Sequence, residues 1–318
     1  MLTRRRAIAG KWEAVEGTAE NPIWSDGGIL IINPKVEPDF KMYERQVVIN
    51  SLSQMQDIPG GTSMKLTFGA ELKGPGVAYS ASVKPALGKY LVGCGFKEAF
   101  TNTPGTEKYT YTPASTRDTA QMQSMTMTLF ADGLALKMKG ARGNVHFTGK
   151  MGEPMIPEFE FQGIYVSTID ATMITPTFET TVPPTLLSSQ LTLDAVSTLK
   201  AASIDINMNN TLVLREDMNA AEGYLSCMIT GRKPNGKIDP EMELVSVYDF
   251  MTKWRTGVTA VLSLGVIGAT QYNRWKITAP VLQYTKIGDA ERTSLAVADT
   301  NFALKGSAGD DEIVIEFS

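Results

Sequence analysis

Histidine, cysteine and excess positive charge are what this chain has least of. Its 318 residues include one histidine, His146. No metal site built on two imidazoles is available, and no nucleophile in a sharp turn accompanies His146. Its neighbours Asn144-Val145-His146-Phe147-Thr148 alternate polar and apolar, so a structural place in a strand is expected. The two cysteines, Cys94 and Cys227, share no metal or redox spacing and sit among apolar residues. They are expected to be buried free thiols, since unpaired cysteine behaves as a small hydrophobe. Lysine and arginine total 30 against 34 aspartates and glutamates, a formal net charge of −4. A duplex-DNA binder needs a basic face to displace counterions, and the balance here argues against one. Arg4-Arg5-Arg6 is a local basic cluster, but Ala7 to Glu16 carries charges where a signal peptide needs an apolar run. No stretch approaches the roughly 20 apolar residues that span a bilayer, so no membrane partner is expected. P-loop, dinucleotide-binding and H-E-x-x-H motifs are also missing.

What is present is a globular composition, 43% hydrophobic and 20% charged, patterned as short strands between Gly, Pro, Asn and Asp. Met64 to Phe68, Met125 to Phe130, Pro157 to Phe161 and Asp311 to Phe317 read as strands. In the last, Ile313, Ile315 and Phe317 alternate with Glu312, Val314 and Glu316, giving one purely apolar face. Asp132-Gly133 between two such runs signals a tight hairpin. Two helices are expected. One runs over Pro85 to Cys94, with Gly95 as its stop. The other runs over Glu243 to Arg255, with Leu244, Val247, Tyr248, Met251 and Trp254 at helical spacing.

The chain divides into an amino-terminal arm (1–27), a first β-domain (28–170), a Thr/Pro-rich linker (171–200) and a second β-domain (201–318). The linker assignment rests on Pro176, Pro183 and Pro184, which interrupt any ladder. The two halves repeat one order of elements: strand, strand, helix, hairpin and two further strands. Tyr43 to Val48 matches Thr211 to Glu216, and Lys73-Gly74-Pro75-Gly76 matches Arg232-Lys233-Pro234-Asn235-Gly236. Two similar units per chain let three chains close a ring of six similar positions.

The order of several motifs resembles the major tail tube proteins of long-tailed phages, in their two-domain form. These are Lys11-Trp12-Glu13 with Glu16-Gly17-Thr18 and Asn21-Pro22, Leu91 to Phe96, Asp132-Gly133 with Lys139 to Gly143, Ala279-Pro280, Gly288-Asp289 and Gly309 to Glu312. The resemblance implies a mainly β fold of two tandem, similar β-barrel or sandwich domains, each with a flanking helix. It implies a non-enzymatic virion protein, made in the host cytoplasm, whose rings stack into a tube. Its partners are then copies of itself, the tape-measure, tail-terminator and tail-tip proteins, and transiting DNA held without sequence specificity. No cofactor, metal or catalytic residue is implied. The long loop 50–62 and the arm are expected to bridge successive rings, through Leu52, Met55, Ile58, Trp12 and Trp24. A capsid-decorating or carbohydrate-binding virion protein is the alternative, although the four tryptophans are scattered. Glu158 and Glu160 share a strand face and imitate a glycosidase pair, but solvent-facing strand acids are far commoner.

Overall fold

A computed structural model describes residues 2, 4–26, 28–116 and 121–318. Its element order confirms a mainly β chain with two short helices, and the strands pair antiparallel. In the first half the strands are β1 (Arg6–Trp12), β2 (Ile31–Tyr43), β3 (Ile58–Ala70), β4 (Phe96–Thr101), β5 (Lys108–Pro113), β6 (Met125–Ala131), β7 (Leu134–Lys150) and β8 (Ile156–Asp170). The second half holds β9 (Thr192–Leu193), β10 (Ala201–Asn207), β11 (Asn210–Glu216), β12 (Tyr224–Arg232), β13 (Asn235–Pro240), β14 (Ala260–Ile267), β15 (Trp275–Arg292), β16 (Leu295–Leu304) and β17 (Val314–Phe317).

One sheet order occurs twice. In the first half it is β2-β3-β8-β7-β6, and in the second β10-β13-β16-β15-β14. β11 and β12 continue β10 and β13 beyond a break at Asn209, whose φ is +45°, and at Lys233-Pro234. They form a separate hairpin, as the outer part of β2 and β3 does in the first half. Two junctions join the units into a continuous sheet: β10 pairs with the end of β7, and β17 pairs with β5. Buried apolar residues of both halves accordingly form one contiguous core, from Ile8 through Phe147 and Phe159 to Trp275 and Phe317.

The helices are shorter than the spacing predicts. α1 spans Gly88–Gly93, and Gly95 follows at φ +90°, the left-handed geometry that suits a stop. α2 spans Phe250–Thr256. The expected start at Glu243 fails because Asp249 leaves helical geometry and caps α2 instead, its carboxylate accepting from the Thr252 N–H at 2.9 Å. Leu244 to Tyr248 makes a separate turn. Asp132 and Gly133 both take positive φ, as the tight β6–β7 turn requires. β17 begins at Val314 rather than Asp311. Asp311 is occupied with the Ser307 and Ala308 amides, and Glu312 with Arg232.

Residues 171–200 run extended along the body. Buried Lys73 pairs with Glu71 at 2.9 Å and donates to the Glu179 and Thr181 carbonyls at 3.2 and 2.9 Å. Asn273, from the second half, donates to the Val182 carbonyl at 2.8 Å and accepts from the Gly74 amide at 3.0 Å. Side chains thus supply the hydrogen bonds that a proline-interrupted backbone cannot obtain from a ladder.

Candidate assembly surfaces

Three surfaces stand out: the tip of the β2–β3 hairpin, the polar face of the sheet, and the sheet's open edges. The tip, residues 44–57, is exposed along its length. Leu52 is 106% exposed, and Val48, Met55 and Ile58 are also exposed, together with Phe40, Met42 and Tyr43 on the hairpin stem. The predicted residues Leu52, Met55 and Ile58 therefore come together on one protruding element. Large apolar side chains are thus left exposed on one loop.

Trp12 is elsewhere. It ends β1, which pairs along its length with β6, and its indole N–H donates to the Lys89 carbonyl at 3.3 Å. Ala7, Ile8 and Ala9 of the same strand are buried. This part of the arm packs within its own subunit, because a short strand of small apolar residues, Ala7 to Gly10, finds its hydrogen bonds along β6 and is buried there. Trp24 opens the single 3-10 turn Trp24–Asp26, and its side chain lies outside those described.

The motif after Trp12 has a different part, which spacing alone did not show. Buried Glu13 accepts from the Gly140 amide at 2.6 Å, the Gly17 amide at 2.8 Å, and the Ser124 and Thr126 hydroxyls at 2.7 and 2.9 Å. Glu16 accepts from Arg142 at 3.0 Å and from Ser226 at 2.6 Å. Arg142, only 2% exposed, also donates to the Met122 and Cys227 carbonyls at 3.0 and 2.6 Å. Two motifs distant in sequence thus form one clamp between the halves. A second clamp joins Arg232 to Asp310, to Glu312 at 3.0 Å and to the Ala114 carbonyl at 2.8 Å.

The polar face follows from strand alternation carried across the sheet. Gly69, Glu158, His146, Asn207, Asn235, Ala303 and Gln283 lie opposite one another in a single row over seven strands. The next row, Phe147, Ile206, Gly236, Phe302 and Tyr284, faces the core. Several charges on the polar face are matched. Lys65 meets Glu160 at 2.8 Å, and Lys237 meets Asp299 and Lys108 meets Glu316, each at 2.7 Å. His146 and Asp205 are hydrogen-bonded at 2.7 Å. The hydrogen bond that Lys65 donates to Glu160 holds its ammonium above its ordinary pKa, so it stays charged and paired. Glu160 is thereby engaged with a lysine, and Glu158 lies across from His146; both acids line one open pocket with Asn144, His146 and Asn207.

The family model for phage tail tube protein matches residues 3–309. The chain belongs to the phage tail tube protein family. No curated protein matches it. Membership makes the chain a structural component of the virion tail. Among the described residues, no cluster of three or more His, Cys, Asp or Glu could hold a metal ion.

Proposed function

We propose that this tail tube protein polymerises into stacked rings, three chains and six similar units to a ring, that conduct DNA during delivery to the host. The observation that carries the reading is the repeated five-strand order within one continuous sheet, polar on one face and apolar on the other. A sheet of that kind, curved into a ring by repetition, offers a polar wall to a channel and buries its apolar face in the tube. DNA passes such a wall without being held. Affinity for phosphate comes from lysines and arginines that give up counterions, and on this face Lys65, Lys108 and Lys237 are already matched by carboxylates. Low affinity thus arises from local neutralisation as well as from the net charge of −4. The exposed tip carrying Leu52, Met55 and Ile58 reaches the adjacent ring, and the apolar surface it shows in the single chain is covered there.

Electron microscopy of the purified, concentrated protein tests the reading. Stacked rings with three-fold symmetry are the expected result. Rings of six whole chains would refute the three-chain arrangement, and a chain that stays dispersed at every concentration would refute polymerisation.

A further inference from the structure

Both hairpins leave the sheet, and one of them ends against the other. In the first unit β3 last pairs with β8 at Ser63 and Ile164, after which β8 keeps only β7 among the described residues. Beyond that point residues 40–43 and 58–62 form a ribbon of two strands. Such a ribbon is marginally stable by itself. The register shifts at the same place. Phe40 pairs with Thr62 and Met42 with Pro59, so Lys41 alone faces both Gly60 and Gly61. A bulge of this kind bends the strand that carries the extra residue and increases its twist. The direction of the tip is therefore set at the bulge.

The second hairpin, β11 and β12, is instead laid on the body. Just past the break at Asn209, the Asn210 side chain donates to the Cys94 and Gly143 carbonyls at 2.7 and 3.0 Å, and its backbone amide donates to the Asn144 side chain at 3.0 Å. β12 then lies against β7 and β8, with Tyr224, Ser226 and Cys227 buried. The turn that joins β11 to β12 is closed by its own bonds. The Asp217 amide donates to the Gly223 carbonyl at 3.1 Å, and the Asp217 carboxylate accepts from the Asn219 amide at 2.9 Å. The Glu222 carboxylate ties the turn to Lys139 of β7 at 3.1 Å. This hairpin is thus anchored at both ends.

The anchored turn meets the bulge of the first hairpin. The Thr62 amide donates to the Glu222 carbonyl at 3.1 Å, a bond outside the β2–β3 ladder. The Tyr224 ring lies against Gly61, where a Cβ would stand 2.7 Å from it. The Lys41 ammonium is 5.5 Å from the centre of the same ring, within the range of a cation–π attraction. Both sides of the bulge, Lys41 on β2 and Gly61 on β3, therefore touch one side chain of the second unit. Glycine at 61 permits the close approach, since any side chain there would hold the ring away. The Tyr43 ring covers the neighbouring Gly60 from within the ribbon.

We infer that the second hairpin is a brace for the first. Tyr224 and the Glu222 carbonyl hold the bulge and so fix the direction in which the tip projects. The purpose of the brace rests on the tube reading above: the tip is ordered before it meets another copy. A ribbon free to swing would have to be ordered at each contact, and that ordering weakens binding. The two unequal hairpins then act as one element, the shorter supporting the longer.

Spin labels on the free subunit test the brace. Cys94 and Cys227 are buried, so labels attach at introduced cysteines. Met42 lies beyond the bulge and Met151 in the turn between β7 and β8, and both are exposed. The Met42→Cys, Met151→Cys chain should give one narrow distance distribution. Adding Tyr224→Ala should broaden it while circular dichroism stays unchanged. The same substitution in the unlabelled chain should raise the concentration needed for tubes about tenfold, as for ordering a few side chains at each contact. A Tyr224 that only stabilised the fold would lower the melting temperature and leave the distances narrow, and that result overturns the brace. Broadened distances in a chain that assembles at the parent's concentration overturn its purpose. If the unsubstituted chain forms no tubes, the tube reading fails, and the distances still decide the brace. If the Tyr224→Ala chain does not fold, hydrogen exchange in the unsubstituted subunit decides. The Thr62 amide, whose acceptor is Glu222, should exchange at least about tenfold more slowly than the amides of 44–57. Equal rates overturn the brace.

Discussion

The two long hairpins of this chain occupy the same place in its two units and meet different ends. In the second unit β10 and β13 lie inside the sheet, β10 is covered by β7, and the far hairpin turns over in the short segment Asp217 to Gly223. In the first unit β2 stands at an open edge, and its hairpin ends in an exposed, apolar tip. The second hairpin shows how such a strand is satisfied within a chain. The first keeps a free edge and an exposed tip. Under the proposed assembly, the elements where the repeat is incomplete are the candidates for contact between copies. The turn of the second hairpin also touches the first unit, since the Thr62 amide of β3 donates to the Glu222 carbonyl at 3.1 Å and Lys139 of β7 pairs with Glu222 at the same distance.

The largest effect should come from making the two hairpins alike. Replacing Ser51 to Pro59 by a short Gly-Ser turn removes the apolar tip and brings the first hairpin closer to the second. The subunit should keep its circular dichroism and lose its tubes completely by electron microscopy, because loop length contributes little to stability. Tubes as abundant as those of the parent would show that the tip is not the stacking element.

Arg142→Met tests whether the halves are one cooperative body. The substitution keeps much of the volume but leaves Glu16 and the Met122 and Cys227 carbonyls short of a donor. A loss of about 3 kcal/mol is expected, from the range for breaking a buried charged network. Urea denaturation should still show a single transition, shifted to lower denaturant, because the clamp and the core are shared. Two separated transitions would mean that the halves unfold independently.

The smallest effect concerns the strap between them. Burial holds the Glu179 carboxyl up at about 7 against an ordinary 4.5, with Lys73 pulling the other way. The folded chain therefore keeps a proton that the unfolded chain has already released. The stability tied to that proton is complete below pH 4.5 and is lost as the pH rises through about 7. Glu179→Gln should flatten this part of the profile, so that its melting temperature relative to the parent rises from about pH 5 to about pH 8. Parallel profiles for the two proteins would remove Glu179 from the account.

Local chemistry was legible where one residue decides one geometry. The Asp132-Gly133 turn, the stop at Gly95 and the apolar row Ile313, Ile315, Phe317 all stand where the sequence places them. Helix α2 was overextended because helical spacing continues through Asp249, whereas the side chain of Asp249 competes for the backbone and starts the helix afresh. The surroundings of Trp12 were not legible in the sequence, because the strand that carries it pairs with β6, more than 100 residues away.

The sequence by itself determined that the chain is β-rich, that it repeats one order of elements, and that its motifs resemble those of tail tube proteins. These properties reside in alternation, turn residues and order along the chain, which a linear text preserves. Only the tertiary structure decided that Glu16 and Arg142 meet, that Arg232 closes on Asp310 and Glu312, and that β10 is paired on both edges while β2, among the described residues, is paired on one. Side-chain periodicity shows which face of a strand is apolar, but strand edges carry only backbone groups, the same for nearly every residue. Which edge is paired and which is left open therefore depends on what the folded chain brings beside it.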